Sequence, residues 1–145
     1  MSTIYLDNAA TTKVREEVVS VISSIIKKEY GNPSSTHSYG RSSKSLIESS
    51  RKEIADILNV KSSEIIFTSG GTEGDNMIIR NCVNNLGVSH IITTKIEHHA
   101  VTHTIDDLIR SNNIKVSYVK VSKSGHVDLN DLEEILKRSD EKSLV

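Results

Sequence analysis

Two adjacent glycines and a threonine, Gly70-Gly71-Thr72, form the pattern with the clearest chemical meaning in this chain. They follow an apolar run ending at Phe67 and precede a stretch with helical apolar spacing. Glycines accept unusual backbone angles and let the chain approach a ligand closely, while the first N–H groups of a helix lack partners within that helix. Together with the helix dipole and the Thr72 hydroxyl, these donors suit a phosphate. The sequence predicts a strand, a tight turn and a helix around an anion site.

The same residues also fit a turn that binds nothing. Ser69 or Thr72 could cap the helix, while Glu73 and Asp75 complement its dipole. Two nucleotide-binding patterns are excluded, because no Gly-Lys-Ser/Thr closes the turn and the glycines do not form G-x-G-x-x-G. If a ligand binds here, it is a phosphate carrier of another kind.

Histidines follow the next predicted strand, in Glu97-His98-His99. Ligands collect at the carboxyl ends of strands in parallel sheets, so this segment is expected beside the glycine turn. Adjacent helical side chains differ by about 100° in direction, so both histidines cannot face one ligand there. His98 is the candidate, because Ala100 and Val101 begin the buried face. It could instead be an ordinary polar residue near a helix start.

A metal site is a further alternative for these histidines. His99 and His103 lie one helical turn apart and could share a metal ion with Glu97. However, the H-E-x-x-H pattern is absent and no cysteine is nearby. The sequence therefore predicts no metal.

Helices and strands alternate along the chain. Apolar residues recur at helical spacing near residues 14–26, 40–58, 78–86, 100–109 and 129–137, and extended runs lie near 65–67, 90–94, 114–121 and 143–145. Asp128 or Asn130 is expected to cap the last helix, and Cys82 falls on an apolar helical stripe as a packed small side chain. The pattern predicts an α/β fold with a mostly parallel sheet and helices on both faces.

Composition narrows the function classes. The 145 residues carry 18 basic and 19 acidic side chains, a net charge of -1, which gives no electrostatic reason to expect nucleic acid or an anionic membrane as partner. No apolar run approaches the length of a membrane span. A single cysteine excludes an internal disulfide framework, so a cytoplasmic location is expected.

Four ordered motifs resemble those of cysteine desulfurases, enzymes of the class V aminotransferase group that use pyridoxal 5'-phosphate (PLP) and supply sulfur for iron–sulfur clusters. The motifs are Ile4-Tyr5-Leu6-Asp7-Asn8-Ala9-Ala10-Thr11-Thr12, Tyr30-Gly31-Asn32-Pro33-Ser34-Ser35 with His37 and Gly40, Thr68-Ser69-Gly70-Gly71-Thr72-Glu73, and Glu97-His98-His99-Ala100-Val101. Gly74 departs from the serine often found there. The resemblance covers nearly the whole chain.

This resemblance implies particular roles. Gly71 and Thr72 match positions that bind the cofactor phosphate, and His98 matches the histidine that stacks on the pyridine ring and moves protons. The implied substrate is L-cysteine, the products are L-alanine and an enzyme persulfide, and the complete enzyme is expected to be a homodimer that passes sulfur to an iron–sulfur scaffold or acceptor protein. The fold implied is part of the large domain of a class V (fold type I) PLP-dependent transferase.

Several parts of that enzyme are missing from this sequence. The Schiff-base lysine of the family follows a histidine directly, but no His-Lys pair occurs, and Lys95 lies in the wrong motif. The persulfide cysteine and the groups for the pyridine nitrogen and substrate carboxylate belong to later segments. Residues 1–145 are therefore expected to be the N-terminal portion of the PLP-binding large domain, with about 1–15 as an arm, and to be inactive alone.

Three hypotheses remain open from the sequence. The chain is the N-terminal part of a desulfurase, a noncatalytic module that binds phosphate, PLP or a partner, or part of another class V enzyme such as a selenocysteine lyase or an aminotransferase. The phosphate turn does not separate them, because one fold reuses it for several chemistries.

Overall fold

A computed structural model describes residues 3–111 and 114–145. These residues form two compact units, Met1–Ile66 and Phe67–Val145. The first two residues of the expected N-terminal arm lie outside the described residues. Each unit is described separately below.

The first unit is helical. It contains α1 (Glu16–Lys28), α2 (Ser38–Leu58) and one turn of 3-10 helix at Ser62–Glu64. Acidic residues in the first turn of α1 and lysines in its last turn complement the helix dipole. No residue of α1 is buried, so its apolar stripe faces outward in the described structure.

The polar loop before α2 ends in a histidine cap, because Nδ1 of His37 accepts a hydrogen bond from the Gly40 N–H over 3.3 Å. Any Cβ at Gly40 would collide with the backbone carbonyl of Ser35, which explains a glycine at that position. At the other end of the helix, Asn59 adopts the left-handed conformation with φ 54°. The predicted helix over 40–58 is therefore confirmed and begins two residues earlier.

The second unit alternates helices and strands along the chain. It contains α3 (Gly71–Leu86), β1 (His90–Thr93), α4 (His99–Ser111), β2 (Lys115–Tyr118), α5 (Leu129–Lys137) and β3 (Ser143–Leu144). The sheet is parallel with strand order β2-β1-β3, and Ile91 pairs with Val116 on one side and Leu144 on the other. The predicted α/β class and parallel sheet are confirmed.

Helix ends in this unit follow the expected chemistry. Gly87 ends α3 with φ 70°, a left-handed conformation that costs glycine little. Asp128, rather than Asn130, caps α5 by accepting hydrogen bonds from Asn130 N and Asp131 N. The C-terminus of α3 and the N-terminus of α5 lie where the sequence predicts them.

The core of the second unit lies between α3, α4 and one face of β1. It consists of Ile79, Val88, Ile91, Ile105 and Leu108, with Cys82 packed against it. Cys82 is partly buried and free, which confirms its interpretation as a packing residue. This core holds α3 and α4 side by side, so that the segments leading into the two helices are neighbours.

Two predicted strands differ from the structure. Residues 65–68 are not assigned to a strand, and Ile66 is 63% exposed, so the prediction of a paired strand before the glycine turn is wrong for the described residues. A strand requires a hydrogen-bonded neighbour, and an apolar run alone does not supply one. The strand predicted over 114–121 is shorter, at Lys115–Tyr118, and Val121 forms a single antiparallel bridge with Val127.

Among the described helices, none combines the length and the apolar character that crossing a bilayer requires.

Candidate functional site

The N-terminus of α3 presents backbone donors without a side-chain cap. Gly70 occupies the N-cap position, and no side chain among the described residues accepts a hydrogen bond there. The first bond of the helix runs from Gly74 N to Gly70 O over 3.1 Å, so the N–H groups before Gly74 precede the helical ladder. The expectation that Ser69 or Thr72 caps this helix without a ligand is not met.

Local hydrogen bonds shape the turn before α3. The Thr68 hydroxyl donates to Gly70 O over 3.2 Å, and Ser69 N donates to Oε2 of Glu73 over 2.6 Å. Hydrogen bonds from the backbone and side chain of Ser69 lower the pKa of Glu73. Glu73 therefore remains ionised on the Ser69 side of the turn and leaves the N–H groups of the next residues to another acceptor.

The space in front of the two glycines is open. A Cβ built on Gly70 or Gly71 meets no atom within 4 Å, so the space beside both glycines is open. Gly70 has φ 163°, which is extended backbone open to any residue, so the expected unusual angles are not found at this glycine. The glycines are useful because they leave room, and the donor set fits a phosphate group.

His98 lies at the start of α4, where its side chain forms the cap. Its Nδ1 accepts a hydrogen bond from Ala100 N over 3.1 Å, and its carbonyl accepts from Val101 N and Thr102 N. An imidazole that accepts at Nδ1 carries its proton at Nε2 when neutral. The His98 side chain is exposed, so Nε2 can reach a ligand.

His99 has different surroundings. Its ring stacks on that of His103, with centroids 5.1 Å apart and planes inclined by 26°, and lies 5.8 Å from the ring of His98. Within residues 3–111 and 114–145, no three histidine, cysteine, aspartate or glutamate side chains converge on a point that could hold a metal ion. The alternative of a metal shared with Glu97 therefore has no support.

Thr72 and His98 line one polar cavity of about 260 Å³. Its remaining lining residues come from α3 and α4, namely Asn76, Arg80, His99, Ala100, His103 and Thr104. Gly71 precedes Thr72 on the helix and lies outside this lining. The structure therefore brings together two of the three site residues predicted from the sequence, and places the third next to one of them.

Asn76, Arg80 and Thr104 were missed as site residues. Thr72, Asn76 and Arg80 are spaced by four residues, which places them on one face of α3. That spacing was visible in the sequence. What was not visible is that α4 would lie against this face and supply Thr104.

A second cavity of about 350 Å³ has a different character. Its lining is mostly apolar and includes Ile92, Leu132 and Leu144, with Glu97 as its one ionisable side chain. Neither Thr72 nor His98 contributes to it. The smaller cavity has the chemistry of a binding site, because its polar and titratable side chains converge.

Lys95 contacts an aromatic ring on a neighbouring strand. Its Nζ lies 5.7 Å from the centre of the Tyr118 ring, a cation–π contact between the ends of β1 and β2. The sequence places Lys95 in the wrong motif for a Schiff-base lysine, and Lys95 does not line the cavity that contains Thr72 and His98.

Comparison with known proteins identifies the family of this chain. The aminotransferase class-V family model matches residues 4–145. "Cysteine desulfurase IscS" of Dictyoglomus turgidum is 43% identical over 137 residues, which cover 93% of this chain and 34% of that protein. A solved structure described as a NifS-like protein is 37% identical, with a TM-score of 0.80 over 94% of this chain and 37% of that one. Another, described as SspA in complex with cysteine, is 30% identical, with a TM-score of 0.82 over 98% and 40% of the two chains.

The fold and the cavity define an α/β protein in which a helix start without a side-chain cap lies beside a histidine-capped helix. The chain belongs to the aminotransferase class-V family. It spans 33–36% of the length of curated relatives it matches, including the Dictyoglomus turgidum protein and a putative cysteine desulfurase of Bacillus subtilis.

Proposed function

We propose that this chain is the N-terminal part of a PLP-dependent cysteine desulfurase. The complete enzyme removes sulfur from L-cysteine, giving L-alanine and a persulfide for iron–sulfur cluster assembly. The observation that carries the proposal is that Thr72 and His98 line one cavity in a chain 43% identical to a protein named cysteine desulfurase.

The start of α3 would hold the phosphate of PLP. The N–H groups around Gly71 and Thr72 would donate to phosphate oxygens, the Thr72 hydroxyl would add a donor, and the helix dipole favours the negative charge. The uncapped helix start and the open space before the glycines support this role. When bound, PLP withdraws electrons from the Cα of an amino acid substrate.

His98 would face the ring of the cofactor and move a proton. Because Nδ1 is engaged by Ala100 N, the exchangeable position is Nε2. A histidine is suited to this task because its ordinary pKa is near neutrality. In the overall reaction the C–S bond of the substrate breaks, its sulfur joins an enzyme thiolate, and the carbon fragment takes up protons to become alanine.

Cys82 is not proposed as the sulfur acceptor, because its side chain packs against the core of the second unit. The acceptor thiol and the lysine that binds the cofactor are expected on segments other than residues 1–145. A homodimer, a sulfur-accepting protein partner and a cytoplasmic location belong to the same proposal, and so does the assignment of these residues to the large domain.

The test uses the complete gene product that contains this chain. It should bind PLP and release alanine from L-cysteine, with one sulfur transferred to thiol per alanine formed. Alanine release from L-selenocysteine alone, or transfer of the amino group to a keto acid without sulfur release, would identify another class V enzyme. A gene product that ends at Val145 and binds PLP without turnover would favour the noncatalytic module.

A further inference from the structure

Asn76 connects the two helices that carry the proposed site. Its Nδ2 donates to Thr72 O over 2.9 Å, one turn back along α3. Its Oδ1 accepts from the Thr104 hydroxyl of α4 over 2.7 Å and from Nε of Arg80 over 3.3 Å. One half-buried amide therefore contacts the first turn of α3 and the middle of α4.

The surrounding groups allow only one orientation of this amide. The Thr72 carbonyl can only accept, so it requires Nδ2, and the Arg80 guanidinium can only donate, so it requires Oδ1. Both demands are met by the same rotamer. The Thr104 hydroxyl must then be the donor to Oδ1. Its single proton is shared with a second acceptor, Ala100 O, which lies 2.7 Å from Oγ1.

The connection continues along the helix pair. Nη1 of Arg80 donates to Oδ2 of Asp107 over 2.7 Å, so α3 contacts α4 at a second polar point. Ala100, whose carbonyl accepts from Thr104, is also the residue whose N–H donates to His98. A chain of hydrogen bonds thus runs from Thr72 through Asn76 and Thr104 to the residue that holds His98.

We propose that Asn76 is a positioning residue that fixes the donors at the start of α3 relative to His98 at the start of α4. This role rests on the proposed function, because it concerns the same phosphate site. Asn76 acts through Thr72 and Thr104. The apolar core around Ile79 and Ile105 holds the helices together, but apolar packing is not directional, whereas a three-bonded amide sets the register between the helices.

The test measures inorganic phosphate binding to the cofactor-free complete gene product through the backbone amide NMR signals of Gly71 and Thr72. Two variants break the connection: Asn76→Ala removes the amide, and Thr104→Val removes only the hydroxyl while keeping the side-chain shape. Asn85→Ala is the matched control on the same helix, because its amide donates to Asn81 at the exposed surface. Ile79→Val is the control for general destabilisation, since it removes one buried methylene group from the core beneath the same helix.

Asn76→Ala and Thr104→Val should each weaken phosphate binding about fivefold to tenfold, and the double variant should lose little more than Asn76→Ala alone. Asn85→Ala and Ile79→Val should bind phosphate like the parent, although Ile79→Val melts at a lower temperature. The Ala100 amide signal should move in Asn76→Ala without ligand, because its contact through Thr104 is altered.

Phosphate binding by Asn76→Ala and Thr104→Val within twofold of the parent would overturn the positioning role while leaving the phosphate site in place. The role would also be overturned if binding in all four variants fell in proportion to their melting temperatures. A cofactor-free parent protein that binds no phosphate would overturn the proposed phosphate site at the start of α3, and the positioning role with it.

Discussion

The backbone N–H of Ala100 donates to Nδ1 of His98 over 3.1 Å. The bond makes the His98 ring the cap of α4 and assigns its neutral proton to Nε2. His99 has different surroundings, because its ring stacks on that of His103, one turn along α4. The two adjacent histidines therefore make different contacts, and replacing each one is expected to have a different effect on activity.

In the complete enzyme, His98→Ala should keep much of its bound cofactor and lose roughly 10²–10⁴-fold in turnover, the usual contribution of a general acid–base group. His99→Ala should change turnover much less. Steady-state alanine release from L-cysteine measures both variants. The reverse order, or two variants that turn over like the parent, would show that His98 is not the proton carrier.

Gly71→Val and Thr72→Ala test the phosphate site in the complete enzyme. A valine side chain at Gly71 would fill open space beside the proposed phosphate site, and Thr72→Ala would remove the proposed hydrogen bond to a charged group, about 1.5–3 kcal/mol. Both variants should release cofactor more readily on dialysis, while their melting temperatures in the cofactor-free form stay close to that of the parent. Cofactor retention equal to that of the parent would show that this turn does not bind the cofactor phosphate.

His90 gives the second unit a pH-dependent stability. It is 1% exposed, its Nε2 lies 2.8 Å from the Ser117 hydroxyl, and its Nδ1 lies 2.8 Å from that of Ser139 and 3.2 Å from that of Ser143. Burial, followed by the nearby charge of Lys115, lowers the pKa of His90, although Glu141 acts in the opposite direction. The unfolded chain therefore binds this proton at higher pH than the folded chain.

Folding stability should accordingly be highest above about pH 6.5, the ordinary pKa of histidine, and should fall as the pH drops through the lowered pKa of the folded state. Urea unfolding between pH 5 and pH 8 measures this dependence. His90→Gln should flatten it, and His126→Gln, which replaces an exposed histidine, should leave it unchanged. An unchanged slope in His90→Gln would contradict the assignment.

The isolated chain should self-associate. The apolar stripe of α1 is exposed, including Ile22 and Ile26, and Val145 beside the edge strand β3 is 69% exposed. Exposed apolar faces and unpaired strand edges both promote association. Light scattering should report a mass that rises with concentration. A monomer that melts cooperatively at high concentration would show that these faces need no cover.

Local signals in the sequence predicted much of the structure. Gly87 ends α3 through its left-handed conformation, Asp128 caps α5 with its carboxylate, and His90–Thr93 forms a strand from a short apolar run. Each of these depends on residues close in the chain. The same is true of the turn at Gly70 and Gly71, whose position before a helix follows from its composition.

Features that depend on contacts between distant residues were harder to predict from the sequence. The run near Ile66 has the composition of a strand but is not assigned to one, because strand formation depends on sequence far from the run itself. Asn76 was missed as a site residue for a related reason. Its significance comes from Thr104, which is 28 positions away, and no local pattern announces that contact.

The most direct measurement of the central claim compares pyridoxine 5'-phosphate with pyridoxine as ligands of the 145-residue chain. Neither compound has the aldehyde that reacts with lysines, so the comparison isolates the phosphate contact. Backbone amide and histidine ring NMR signals are recorded below the concentration at which the chain associates. The phosphorylated ligand should shift the Gly71 and Thr72 amides and the His98 ring with one saturation curve, and pyridoxine should not. Equal shifts with both ligands, or shifts at neither Gly71 nor Thr72, would contradict a phosphate site at the start of α3.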